Sequence, residues 1–169
     1  MAASQPAAAA VTIASDAFVS RYAGDAVRSR QPLGEHPRPQ LQRKRWKSLN
    51  GLWERNGTRI LVPFPPESLL SGVAAGAARG RTAVYRTSFG VPPAWKVDGG
   101  ASVALHFGAV DWRCRVAVNG VGVAEHSGGF TPFTADVSAA LDRSLERQQL
   151  EVWVYDPSEE GGQPLGKQR

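Results

Sequence analysis

One cysteine, three histidines and no long apolar run set the limits on this 169-residue chain. A lone Cys114 excludes an internal disulfide, and its alternating apolar neighbours place it as a small core residue rather than a reactive thiol. His36, His106 and His126 are scattered without Cys/His spacing, so they predict structural histidines and no metal site. No cofactor is expected. No apolar stretch reaches the ~18 residues of a helical membrane span, which removes a membrane from the expected partners. Acidic residues are scarce at the front: residues 1–60 hold 10 Lys and Arg against 4 Asp and Glu, whereas residues 61–169 hold 10 against 11. The net charge of +5 therefore belongs to the front of the chain. Its short basic stretch, Arg43-Lys44-Arg45-Trp46-Lys47, has no nucleic-acid-binding motif around it and reads as solvated surface.

A hydrophobic content of 42% supports one domain with a modest core. Residues 1–35 are Ala-rich and carry no compact hydrophobic pattern, which predicts a disordered leader or a transit segment. They lack the basic n-region of a secretory signal, so a soluble cytoplasmic or organellar protein is expected rather than a secreted one. Asn56-Gly57-Thr58 is formally a glycosylation sequon, of little weight without such a signal. The glycine- and alanine-rich residues 71–81 predict a flexible connection without chemistry.

From Val84 onward the pattern is of strands broken by turns, with no long segment of helical period, which predicts an all-β domain. AVYRTSFGV (83–91) alternates until Pro92-Pro93 ends it, and SVALHF (102–107) follows. In residues 113–124, Cys114, Val116 and Val118 project to one face and Arg113, Arg115 and Ala117 to the other. Asn119-Gly120 then supplies the left-handed torsions of a tight hairpin. Leu150, Val152 and Val154 alternate with Glu151, Trp153 and Tyr155 in a final strand that buries its valines and turns its aromatics to the opposite surface. Residues 131–145 read as a connector, in which Asp136 or Ser138 caps a short helical turn through Leu141.

An ordered series of motifs runs through residues 36–169: HPRPQL (36–41), Trp46, SLNGLW (48–53), ILVPFPPESLLSG (60–72), Tyr85-Arg86, HFGAVDW (106–112), Val118-Asn119-Gly120, HSGGFTPF (126–133), Asp136-Val137-Ser138 and Asp156-Pro157, ending in QPLGKQ (163–168). The series resembles the N-terminal sugar-binding domain of glycoside hydrolase family 2. The resemblance implies a jelly-roll, galactose-binding-like β-sandwich. In that family it is followed by an immunoglobulin-like domain and a (β/α)8 barrel, and the enzymes are retaining hydrolases of β-glycosides. Their two catalytic carboxylates stand about 5 Å apart in the barrel, and no glutamate of this chain matches either.

The expected function is accordingly that of a non-catalytic carbohydrate-binding domain of a glycoside hydrolase. A stand-alone carbohydrate-binding module and a remnant without a carbohydrate role remain as alternatives. Glu159-Glu160, adjacent in an extended stretch, point opposite ways and cannot flank one glycosidic bond. Asp111, Glu125 and Asp136 sit beside turns, where capping is their simplest use. Asp156 matches a loop aspartate that reaches the barrel mouth in β-galactosidase-like relatives, and a structural turn before Pro157 is the competing reading. The second contact of those relatives, an asparagine, falls here within Arg79-Gly80-Arg81 and does not carry over. Trp46, Trp53 and Trp112 read as packing residues. Trp153 and Tyr155, opposite the valine face, are candidates for an interface with a following domain. Two departures from the family pattern predict a truncated sandwich with open edges. Only ERNGTR separates Trp53 from Ile60, where relatives have room for another strand, and the pattern stops after Gly166-Lys167-Gln168, where relatives continue into a further strand.

Overall fold

The computed structural model describes residues 32–73, 82–95, 101–157 and 162. They form eight strands: β1 (Gly51–Arg55), β2 (Thr58–Val62), β3 (Thr82–Phe89), β4 (Ala104–Phe107), β5 (Arg113–Val118), β6 (Val121–Ser127), β7 (Phe133–Asp136) and β8 (Gln148–Tyr155). No α-helix occurs among the described residues. Six strands make one antiparallel sheet in the order β2-β1-β3-β8-β5-β6, and β4 and β7 make a second. The all-β architecture expected from the alternation is the one observed.

The period of two dictates which face is buried. Tyr85 of β3 pairs with Val152 of β8, and Val152 pairs in turn with Val116 of β5. Alternate residues therefore line up as an inner layer of Cys114, Val116, Val118, Leu150, Val152 and Val154, all buried. Val103, Leu105, Ala135 and Val137 close over them from the two-stranded layer and its flanks. The outer face carries the charges. Arg86 meets Glu151 at 2.7 Å and Glu54 at 3.6 Å, and Arg115 meets Glu125 at 3.0 Å.

Both hairpins of the large sheet turn on Asn-Gly. Asn119 and Gly120 have φ of 51° and 80°, and Asn56 and Gly57 have φ of 48° and 82°, the left-handed region that such two-residue loops require. The second of these lies in ERNGTR, whose six residues complete β1, make the turn and begin β2, with Arg55 opposite Thr58. The sequon asparagine is part of that architecture, because its backbone N–H and side-chain Oδ1 bond the carbonyl and N–H of Val84 at 3.1 and 2.8 Å.

Residues 131–145 are also more than a connector. Phe133–Asp136 is a strand paired with β4, since Thr134 and Asp136 face outward and Ala135 is buried. The turn that follows is a 3-10 turn, Ser138–Ala140. Asp136 accepts from Ser138 N–H at 2.9 Å, while the Ser138 hydroxyl accepts from Val103 N–H at 2.8 Å. Pro32 and Leu33, which the sequence places in the leader, offer their carbonyls to the Asn50 amide at 3.2 and 3.1 Å. Pro32 is fully buried. Most of the leader, residues 74–81 of the glycine-rich connection, Glu159-Glu160 and the QPLGKQ ending lie outside the described residues.

Candidate functional site

Asp156 directly follows β8 and is partly buried. The register of the sheet decides what surrounds it. Tyr85 lies opposite Arg55 on β1, so both project inward near the end of the sheet where β8 finishes. Arg55 is 6% exposed, an unusual place for a guanidinium. Its Nε donates to the Tyr85 hydroxyl at 3.2 Å, and its Cζ stands 5.9 Å from the centre of the Tyr85 ring. Burial pushes the Tyr85 phenol above its ordinary value. The Arg55 charge opposes this shift, and the Glu67 and Asp156 carboxylates reinforce it. A guanidinium and two carboxylates thus bear on the Tyr85 phenol at this end of the sheet. The phenol stays protonated at neutral pH, so the cluster offers donors and acceptors suited to hydroxyl groups.

Two of the sequence motifs meet beside Asp156. Gly128 of HSGGFTPF donates its N–H to the Trp112 carbonyl of HFGAVDW at 2.8 Å, and Trp112 N–H donates to the Tyr155 carbonyl at 3.2 Å. The end of β8 is therefore braced by both motifs, one residue before Asp156. Gly129 fits because it has no side chain: a Cβ there would lie 2.5 Å from Cγ and Oδ1 of Asp111. Farther along, Phe107 and Phe133 stack with centroids 4.6 Å apart, and His126 stacks on Phe133 at 4.4 Å. This stack joins β6, at the edge of the large sheet, to the two-stranded sheet. His126 Nε2 lies 3.2 Å from both the Gly128 carbonyl and the Thr131 hydroxyl.

Trp153 and Tyr155 share the outer face, as their spacing predicts. Trp153 is flanked by Val84 on β3 and Arg115 on β5, with the Arg115 Cζ 5.8 Å from its ring centre. Trp53 packs against the core and donates its indole N–H to the Leu49 carbonyl at 2.8 Å. Trp46 lies 4.9 Å from the His36 ring. The third histidine, His106, has Nδ1 2.8 Å from the Thr134 hydroxyl. No group of three or more His, Cys, Asp and Glu side chains able to hold a metal occurs among the described residues. No described helix is long and apolar enough to cross a membrane. Burial pushes the Cys114 thiol up to about 11, against a smaller opposing effect of the His126 backbone.

The motif singles out Asp156 as a candidate, whereas Arg55 and Glu67 are not singled out from the sequence. The available signal was an arginine two residues after Trp53, hence on the same inward face of β1.

The sequence profile described as "Glycosyl hydrolase 2 galactose-binding domain-like" matches residues 75–168. The chain is 44% identical over 54 residues to the β-glucuronidase of Canis lupus familiaris, covering 32% of this chain and 8% of that protein. It is 32% identical over 90 residues to the β-glucuronidase of Paenibacillus borealis, covering 51% and 14%. The solved β-D-glucuronidase of Dictyoglomus thermophilum superposes with a TM-score of 0.51 at 28% identity, over 64% of this chain and 19% of that one. A β-glucuronidase from Ruminococcus gnavus shares the fold, with a TM-score of 0.56 at 23% identity over 69% and 22%. The chain thus spans under a quarter of the length of each of these proteins. With more than half of its residues matching the profile on a β-sandwich of the corresponding kind, the chain belongs to the glycoside hydrolase family 2 galactose-binding-like domains.

Proposed function

We propose that this domain serves a retaining β-glycosidase acting on β-glucuronides, with hydrolysis carried out by a barrel outside this chain. The observation that carries the reading is the 44% identity to a β-glucuronidase. The domain itself is non-catalytic and contributes Asp156 as a hydrogen-bond acceptor for a sugar hydroxyl. The Arg55 and Tyr85 pair and the Trp112 to Tyr155 hydrogen bond hold that end of β8 in place. On the same reading, Trp153 and Tyr155 face a following immunoglobulin-like or barrel domain.

The test is a chimera in which residues 32–169 replace the corresponding domain of the Dictyoglomus thermophilum β-glucuronidase. The chain alone is expected to release no nitrophenol from nitrophenyl β-glucuronide. The chimera is expected to release it, and Asp156→Asn to lower its kcat/KM by about tenfold, the size of one lost charge-assisted hydrogen bond. A chimera that folds yet prefers a galactoside, or is indifferent to Asp156→Asn, overturns the substrate or the site respectively.

A further inference from the structure

The opposite end of the large sheet holds a cleft that the family reading does not use. It lies where β1 begins, β3 ends and the chain enters β8, and its volume is about 290 Å³, near the lower limit of small-molecule clefts. Its polar lining is Lys47, Ser48, Asn50, Thr87, Ser88 and Arg147, and no carboxylate is among its described lining residues. Arg147 is held in place by Ser88, donating from Nε to the hydroxyl at 2.8 Å and from Nη2 to the backbone carbonyl at 2.5 Å. Two of the five guanidinium N–H groups are used in this way, so three remain to meet a ligand.

The contrast with the outer face of β5, β6 and β8 is informative. A larger groove there, of about 590 Å³, is lined by Arg115, Glu125, Glu151 and Trp153. Its arginine is matched by Glu125 at 3.0 Å. The cleft beside β1 instead places a fixed guanidinium and an ammonium in a polar recess with no acid among its described wall residues. Charge-assisted, two-pronged recognition of an oxyanion is the chemistry such a recess favours.

We propose that this cleft binds a small oxyanion, the carboxylate, sulfate or phosphate carried by an acidic sugar. The sugar half of the proposal rests on the family reading; the oxyanion half rests on the lining alone. Arg147 orients the anion through its remaining N–H groups, and Lys47 adds charge at the mouth. Arg147 precedes β8 and Asp156 follows it. At ~3.3 Å per residue the two lie roughly 30 Å apart along the strand, so one monosaccharide does not reach both.

The experiment titrates the isotope-labelled 169-residue chain with sodium glucuronate, glucose 6-phosphate, glucose and inorganic phosphate, following backbone amide shifts at Gly51, Thr87 and Ser88. Glucuronate and glucose 6-phosphate are expected to shift these amides saturably and glucose to leave them unmoved. Affinity is expected to fall with added salt, as screening requires. Lys47→Gln, at an exposed position, and Arg147→Gln are each expected to weaken binding about tenfold. Binding that matches glucose, or that persists unchanged in both variants, overturns the proposal. Inorganic phosphate binding as tightly as the acidic sugars supports the oxyanion site and overturns its sugar half. Asp156→Asn is expected to leave the titration unchanged, which separates a failure here from a failure of the chimera.

Discussion

Gly129 shows how narrowly a single atom is fitted. The Asp111 carboxylate occupies the space where a Cβ would stand, so Gly129→Ala forces a shift of backbone or carboxylate at the junction of the two family motifs. The expected cost is about 1–3 kcal/mol, read from urea unfolding. Gly108→Ala, where nothing lies within 4 Å of the added carbon, is expected to stay within about 0.5 kcal/mol. Cys114 makes a pH-dependent prediction. Its folded value is about 11 against an ordinary 9.0, so between those values the unfolded chain ionises and the folded one does not. The contribution of the neutral thiol is complete below the ordinary value and is lost as pH rises toward about 11. Wild-type stability is therefore expected to fall more steeply between pH 8 and 10 than that of Cys114→Ala, and the native thiol to resist a disulfide reagent at pH 8. Equal slopes would sink the argument.

The elements differ in how openly the sequence displays them, for physical reasons. In β5, and in β8 from Leu150 onward, every second residue is a buried Cys, Val or Leu, so alternation alone places them. In β7, three residues after Phe133 complete the strand, and Pro132 just before it suggests a loop. Pairing with β4, which sequence does not display, is what makes it a strand. The β1–β2 hairpin was hidden by a second meaning of its own turn, since Asn56-Gly57-Thr58 reads equally as a sequon. The Arg55 and Tyr85 contact spans 30 residues and exists only through the β1 and β3 register, so no local pattern announces it. The aromatic stack belongs to the same category. Phe133 is its centre, touched by Phe107 on one side and His126 on the other, and it helps link the two sheets. Phe133→Ala is expected to cost about 2–4 kcal/mol. Amide exchange is expected to accelerate first in β4 and β7, which among the described strands pair only with each other. Uniform acceleration across both sheets would show instead that the layers unfold as one unit.

At the scale of the molecule, the sheet is assembled around a strand that comes late in the sequence. β8 lies between β3 and β5, hydrogen-bonded along its length to both. A chain ending at Arg147 retains seven of the eight strands and is expected to lose cooperative thermal unfolding entirely, measured by circular dichroism. A clear melting transition in that truncation would contradict the assignment. Adding back a synthetic peptide of residues 148–157 is expected to restore the transition.

The position of β8 also sets an order in time. During synthesis the β1, β2 and β3 group and the β5–β6 hairpin emerge first, each able to form its own local turn, yet neither has its neighbour. The large sheet waits unclosed until residues 148–155 leave the ribosome, and these residues then unite the two halves in one late, long-range step. Until that moment the inward edges of β3 and β5 stand open to any passing strand. The nascent domain is most exposed to misassembly when it is almost fully made.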